Sequence, residues 1–237
     1  MQLFVLPSTT NGAATNMAID AALLASIPEE SAIFRHYGWA EPTITFGYTQ
    51  LINEVRSIVP DNIHLCRRIT GGGIVDHLHD WTYSLILHSQ IKAVRIPATE
   101  LYLAIHKCIQ QVLKAQSVKT QLAPCHRICK QEPGKKITAP NQCFVHPTAN
   151  DVLHPDGTKI AGAAIKRTRQ GLLVQGSIDR NSLPEAFNFQ MLSNTLSKAL
   201  ADMLQLSFSK DCAHFLNEPK IQQERKRFEN VAWIHKR

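Results

Sequence analysis

The chain has 237 residues, 44% of them hydrophobic and 19% charged, with 11 glycines and 12 prolines, a composition that excludes disordered and collagen-like proteins. At this length folding buries roughly 70% of the surface that the unfolded chain exposes, so a core needs neither a metal nor disulfides and any site is there for function. Lys and Arg outnumber Asp and Glu by 26 to 19, a net charge of +7, which points to an acidic partner or a phosphate-bearing ligand.

Leu3 to Leu6 reads as a short strand. Asn16 then precedes Met17, Ile19, Leu23, Leu24 and Ile27, a helical pattern stopped by Pro28. Ala32 to Tyr37 and Thr43 to Tyr48 are two strands separated by the turn-rich Gly38-Trp39-Ala40-Glu41-Pro42. Ile63 to Arg67 is a strand entering Thr70-Gly71-Gly72-Gly73, and Thr82 to Leu87 is another. Residues 98 to 116 form the clearest helix, with Leu101, Ala104, Ile105, Cys108, Val112 and Leu113 on one stripe. The stretch 123 to 149 lacks periodicity and reads as a long loop, of the kind that is often functional. A meander follows: Asn150 to Leu153, Lys159 to Lys166 and Leu172 to Ile178, with turns at Asp156-Gly157 and Gln170-Gly171. A helix over 189 to 205 and a basic C-terminal segment close the chain, the whole of 185 to 237 being read as helical. Strand runs with hairpins and interspersed helices predict an α+β fold with a mixed, largely antiparallel sheet, in a single domain spanning 1 to 237.

The charge excess is local. Residues 125 to 169 hold eight bases (Arg127, Lys130, Lys135, Lys136, Lys159, Lys166, Arg167, Arg169) against three acids (Glu132, Asp151, Asp156). The sequence shows no helix-turn-helix, finger or RNA-binding signature, so nucleic acid is not the expected partner. No run reaches 18 apolar residues and no secretory leader is visible, so a cytoplasmic, membrane-free protein with six reduced cysteines is expected.

Three features can carry chemistry. Arg67-Arg68-Ile69-Thr70-Gly71-Gly72-Gly73 combines a glycine triplet, whose backbone N–H groups can nest an anion, with two counter-charges. It matches neither a Walker loop nor a dinucleotide fingerprint, and the plainer alternative is a flexible hairpin. Lys159 heads a row of small residues, Ala161, Ala163 and Ile165 on the same strand face, and can project toward an anionic ligand. Cys143, in basic surroundings with His146 and Lys159 near in sequence, is a candidate acyl-accepting thiolate or an inert thiol. Cys125 and Cys129, or His77 and His79, lack the further donors that a metal site needs, and none is assigned.

Together, Arg67 to His77 followed by Thr82-Tyr83-Ser84-Leu85, then Lys159-Ile160-Ala161-Gly162-Ala163-Ala164 and Gln175-Gly176-Ser177-Ile178, resemble the catalytic domain shared by lipoate-protein ligases, octanoyltransferases and biotin-protein ligases. Phe34 to Trp39 with Pro42 to Gln50 resembles that family's preceding strand pair, and Asn16-Met17-Ala18-Ile19-Asp20 its first helix, so the likeness covers about 14 to 178. It implies an enzyme that attaches a lipoyl or octanoyl group to the lysine of a lipoyl domain in a 2-oxoacid dehydrogenase or the glycine-cleavage H protein. The main expectation is an ATP-dependent lipoate-protein ligase, using ATP with Mg and passing through an acyl-adenylate. Arg68 and Gly71, Gly72, Gly73, Ile74, Val75, Asp76 and His77 would then bind nucleotide and substrate, Lys159 would polarise the acyl-phosphate, and Gly162 and Ala163 would line the acyl channel. The alternative is an ATP-independent octanoyl or lipoyl transferase in which Cys143, placed like the acyl-thioester cysteine of one octanoyltransferase subgroup, takes the acyl group from acyl carrier protein. A biotin-protein ligase or an inactive acyl-binding relative are lesser alternatives. His77 is followed by Leu78-His79-Asp80, whereas ligases carry an Asp directly after the histidine. No accessory C-terminal domain is expected, and a separate accessory subunit would replace it.

Overall fold

In the computed structural model, which describes residues 1–124, 147–210 and 215–236, β1 (Gln2–Val5) and β2 (Thr9–Asn11) pair in parallel with successive parts of β3 (Ser31–Trp39). Pro7 lies at the break between them, where a residue without an N–H interrupts no ladder. The intervening α1 (Ala13–Ser26) starts a turn earlier than the sequence suggests, so Asn16 sits inside the helix and is buried. Next come β4 (Thr43–Phe46), α2 (Ile52–Arg56), β5 (His64–Arg67), β6 (Val75–Asp76) and β7 (Asp80–His88). The amphipathic α3 (Ala98–Ala115) leads to β8 (Gln121–Leu122). The second half contributes β9 (Val152–Leu153), β10 (Lys159–Arg167), β11 (Gly171–Asp179), α4 (Phe189–Leu204), β12 (Ser207–Ser209), α5 (Glu218–Glu229) and α6 (Val231–Ile234).

The large sheet runs β12-β1-β3-β7-β11-β10-β9-β8, with β2 beside β3. From β3 through β8 every neighbouring pair is antiparallel, and only the β1, β2 and β12 edge is parallel. The fold is therefore the mixed α+β architecture that the hairpins predict. Two expectations need correction. Thr43 to Tyr48 does not pair with Ala32 to Tyr37: β4 leaves the large sheet and forms a separate one, ordered β5-β4-β6, over its own core of Ile44, Phe46, Val55, Leu65 and Ile74. Nor is 185 to 237 helical throughout, because Ser207–Ser209 returns to extend the large sheet beside β1. No helix among the described residues is long and apolar enough to cross a membrane.

Alternation along the central strands sends side chains to two cores. Phe34, Leu85, Leu87, Leu172 and Val174 meet Leu101, Ile105, Leu192 and Leu196 of α3 and α4. Ile33, Ile86 and Leu173 meet α1, whose outer side is covered in turn by Ile221 and Phe228 of α5. Because α1 is covered on both sides, it is apolar nearly all round.

Asp20 is the exception on that helix and is fully buried. Its carboxylate accepts from Arg35 Nη1 at 2.6 Å, Ser84 Oγ at 2.8 Å, Gln175 Nε2 at 2.8 Å and the Tyr37 hydroxyl at 3.2 Å. One side chain thus ties α1 to β3, β7 and β11. Arg35 completes its bonds on the Asn16 side chain and carbonyl, at 3.0 and 3.1 Å. A buried charge is tolerated only when paired and hydrogen-bonded, so Asp20→Ala, which strands Arg35 at 2% exposure, is expected to lower unfolding free energy by about 3–5 kcal/mol in urea denaturation.

Candidate active site

A cavity of about 430 Å³ opens between α1, the small sheet and the β10–β11 hairpin, within the size range of small-ligand sites. Met17, Tyr37, Trp39 and Val75 give it apolar walls, and Gly162, Ala163, Ala164 and Gly176 widen it. Gln175, whose amide nitrogen holds Asp20, also accepts from Thr70 Oγ1 at 2.7 Å, so the buried network reaches the root of the glycine loop.

Lys159 reaches the cavity wall but is only 6% exposed, and its Nζ lies 2.8 Å from Asp151 Oδ2. Asp151 is held in turn by the Thr148 backbone N–H at 2.7 Å, the Thr148 hydroxyl at 3.1 Å and the Tyr102 hydroxyl. The same Tyr102 oxygen accepts from Ala163 N at 3.1 Å; burial and the adjacent carboxylate push its pKa well above the usual phenol value, so it stays a phenol donor. His106 packs on Tyr102 with ring centroids 4.0 Å apart, and burial lowers its pKa to about 4. The ring is therefore neutral at physiological pH.

The lysine's placement differs from the expected one. A bulge between Lys159 and Ala161 breaks the alternation. Ala161 joins the apolar core, and Lys159 folds over Gly162 instead. A Cβ on Gly162 would lie 2.6 Å from Lys159 Nζ and 3.0 Å from Asp151 Oδ1.

Opposite the lysine, Arg68 donates to Thr45 Oγ1 at 2.6 Å and to the carbonyls of Gly71 and Gly73 at 3.0 and 2.8 Å. Its guanidinium holds the glycine loop in shape. Thr45 Oγ1 is also 2.7 Å from His77 Nε2, and His77 Nδ1 is 2.7 Å from Asp80 Oδ2. Because the Asp80 carboxylate can only accept, Nδ1–H donates to it, and Thr45 Oγ1 holds the opposite ring nitrogen. Thr82 and Ser177 hydroxyls also donate to Asp80, and Trp39 stacks on the imidazole at 4.0 Å. The carboxylate beside the imidazole thus comes from Asp80, three residues after His77.

The family model for the lipoyl protein ligase A/B catalytic domain matches residues 12–205. The chain belongs to this family. Among curated relatives, the octanoyltransferase LipM of Oceanobacillus iheyensis is 31% identical over 195 residues, covering 79% of this chain and 65% of that protein. The octanoyltransferase LipM of Bacillus subtilis is 30% identical over 204 residues, covering 79% of this chain and 73% of that protein. Thus the chain aligns with slightly under two thirds of the first relative's length. Protein Ta0514 of T. acidophilum, solved with bound lipoic acid, superimposes with a TM-score of 0.74 at 18% identity, over 99% of this chain and 100% of that one. That likeness concerns the fold.

Within this family member, the cavity gathers Arg68, Gly72, Gly73, Val75, His77, Lys159, Gly162 and Ala163 of the expected site. Three expected residues are elsewhere. Ile74 packs in the small-sheet core, Asp76 is exposed and caps the Leu78 N–H at 2.9 Å, and Gly71 is not part of the wall. Cys143 lies outside the described residues, as do Cys125 and Cys129. Burial raises the thiols of Cys66 and Cys108 to about 12 and about 11, which leaves both protonated. No group of three or more potential metal ligands occurs among the described residues.

Sequence reasoning missed Thr45, Tyr102, Asp80 and Ser177 as parts of the site. Asp20 carried a usable signal: it is a carboxylate between Met17-Ala18-Ile19 and Ala21-Ala22-Leu23, and such a residue requires a buried partner.

The triplet glycines are not equivalent. Gly72 has φ +84°, and a Cβ on Gly71 would meet nothing within 4 Å. Gly72→Ala is expected to cost about 1–2 kcal/mol, and Gly71→Ala less than about 0.5 kcal/mol, measured by thermal or urea unfolding. Gly162→Ala is expected both to lower stability, because the added methyl pushes on the buried Lys159–Asp151 pair, and to reduce turnover by displacing Nζ; urea unfolding and steady-state kinetics on the folded variant check this.

Proposed function

We propose that this protein is an acyltransferase that moves an octanoyl or lipoyl group from a thioester donor to the lysine of a lipoyl domain, without ATP. The observation that carries this reading is the state of the two cations at the cavity. Lys159 is paired with buried Asp151, and Arg68 is bonded to Thr45 and to the loop's own carbonyls. Both cations are already engaged by groups of the protein, so they suit the single oxyanion of an acyl transfer better than the several charges of the phosphates of ATP, and no step is routed through a nucleotide. The apolar wall of Met17, Trp39, Val75 and Ala163 suits an acyl chain, whose burial contributes about 0.8 kcal/mol per methylene. The 30–31% identity to octanoyltransferases supports the same choice over the ligase.

In this mechanism the Cys143 thiolate attacks the donor's thioester carbonyl. The C–S bond to the donor breaks, the departing sulfur takes up the proton that Cys143 gave up on becoming a thiolate, so the donor leaves as a thiol, and an acyl-Cys143 thioester remains. The amine of the acceptor lysine then attacks that carbonyl, an amide forms, and Cys143 is released as a thiol. Each attack places negative charge on the carbonyl oxygen. Lys159 Nζ, fixed by Asp151 and Gly162, donates to that oxygen, and a preoriented donor helps most when charge develops in a site closed to water. Cys143 stands four residues before Pro147, and both Pro147 and Thr148 line the cavity.

Incubation with an octanoyl-thioester donor, without nucleotide, should add one octanoyl group to the enzyme by intact mass, and Cys143→Ala should abolish it. Lys159→Ala should slow acylation by roughly 10²–10³-fold. Lipoylation that requires ATP, releases AMP and survives Cys143→Ala would establish the ligase instead.

A further inference from the structure

The C-terminal segment is fastened behind the glycine loop. Arg67, fully buried, donates to the carbonyls of Tyr48, Gln50, Trp233 and Ile234, and Trp233 Nε1 returns a bond to the Arg67 carbonyl at 3.0 Å. This anchoring stacks Trp233 beside Tyr48, with centroids 5.8 Å apart, and three cations gather on the two rings. Lys166 Nζ is 5.2 Å and Lys236 Nζ 4.7 Å from the Tyr48 centroid. Arg227 lies 4.1 Å from the Trp233 centroid.

Three like charges on one aromatic pair repel one another, and cation–π attraction offsets only about 0.5–1 kcal/mol each at exposed sites. Arg227 has Glu224 at 3.2 Å, whereas no ion pair among the described residues includes Lys166 or Lys236. The cluster therefore favours an anionic partner. Its position says where that partner stands. Thr49, next to Tyr48, lines the cavity, and so does Ala164. Beyond the bulge β10 pairs regularly with β11, so Lys166 shares the Ala164 face, two residues further along the same strand. The cations form a rim at the cavity.

We propose that the Lys166–Lys236–Arg227 rim, seated on Tyr48 and Trp233, is the docking surface for the acyl-accepting domain, which presents carboxylates around its target lysine. The identity of the occupant rests on the acyl-transfer reading. The acceptor fits better than the donor on grounds of reach. A lysine side chain is a four-carbon stem, so the acceptor's own surface must come flush with the cavity for its amine to meet the acyl group. A thioester donor, whether a small thiol or a carrier protein that presents its acyl group on an extended arm, has no such need. Exposed charges of this kind steer association and set partner choice more than they change chemistry.

The test uses the full chain with an isolated lipoyl domain of a 2-oxoacid dehydrogenase. Direct binding is measured by titration calorimetry, and transfer by steady-state kinetics with an octanoyl-thioester of a small thiol as donor. Lys166→Glu/Lys236→Glu should weaken binding and raise the KM for the domain about tenfold, and Lys166→Gln/Lys236→Gln should do so less. The rate of Cys143 acylation should be unchanged. Wild-type affinity should fall between low salt and about 0.2 M salt, where exposed charges are screened beyond about 10 Å. Neutralising carboxylates beside the target lysine should reproduce the loss. Unchanged affinity in the reversal variant, no binding by the wild-type chain, or a loss confined to acylation would overturn the proposal. Failure of Cys143 to become acylated overturns the acyltransferase reading instead, and the binding arm still decides the rim.

Discussion

One buried carboxylate organises this protein. Asp20 faces inward from a helix covered on both sides, and its two oxygens take donors from three strands of the large sheet. Each partner would be costly to bury alone, and together they satisfy one another. The network also determines the site. Gln175, held by Asp20, receives the Thr70 hydroxyl at the start of the glycine loop, so the packing of α1 against the sheet and the position of the loop are one structural event.

The same economy explains how cations at the cavity are tolerated inside the fold. Arg67, Arg68 and Lys159 are all within the fold's interior, where their partners include backbone carbonyls, Thr45 and Asp151. A neutral thioester can enter such a space without displacing counter-ions. Lys159 then matters mainly when negative charge appears on the carbonyl oxygen, because a low-dielectric wall strengthens the interaction at that moment.

Local pattern made much of the fold legible. The stripe on α3 and the turn residues of the β10–β11 hairpin identify those elements within a residue or two. Short pieces such as β2, β6 and β12 exist only because a neighbouring strand supplies their partners, so two or three residues carry no readable period. The division of Thr43–Phe46 from the preceding strand is likewise a tertiary choice. In the site, Lys159 is conspicuous beside small residues, but the bulge that turns it over Gly162 leaves no trace in composition. Its partners are remote: Tyr102 meets Asp151 across 49 positions, and Gln175 meets Asp20 across 155.

Charge is thus sorted by depth. Inside, cations are matched to carboxylates and carbonyls, where an unpaired one would cost several kcal/mol. At the rim, Lys166 and Lys236 rest on aromatic faces in water, where crowding is cheap and a partner's carboxylates can still be met. Moving these two lysines inward would bind an anion more tightly, but it would also add charge to the cavity that an acyl chain must enter. Keeping them on Tyr48, one residue from the cavity-lining Thr49, separates recognition of an acidic surface from accommodation of an apolar chain while leaving the two adjacent.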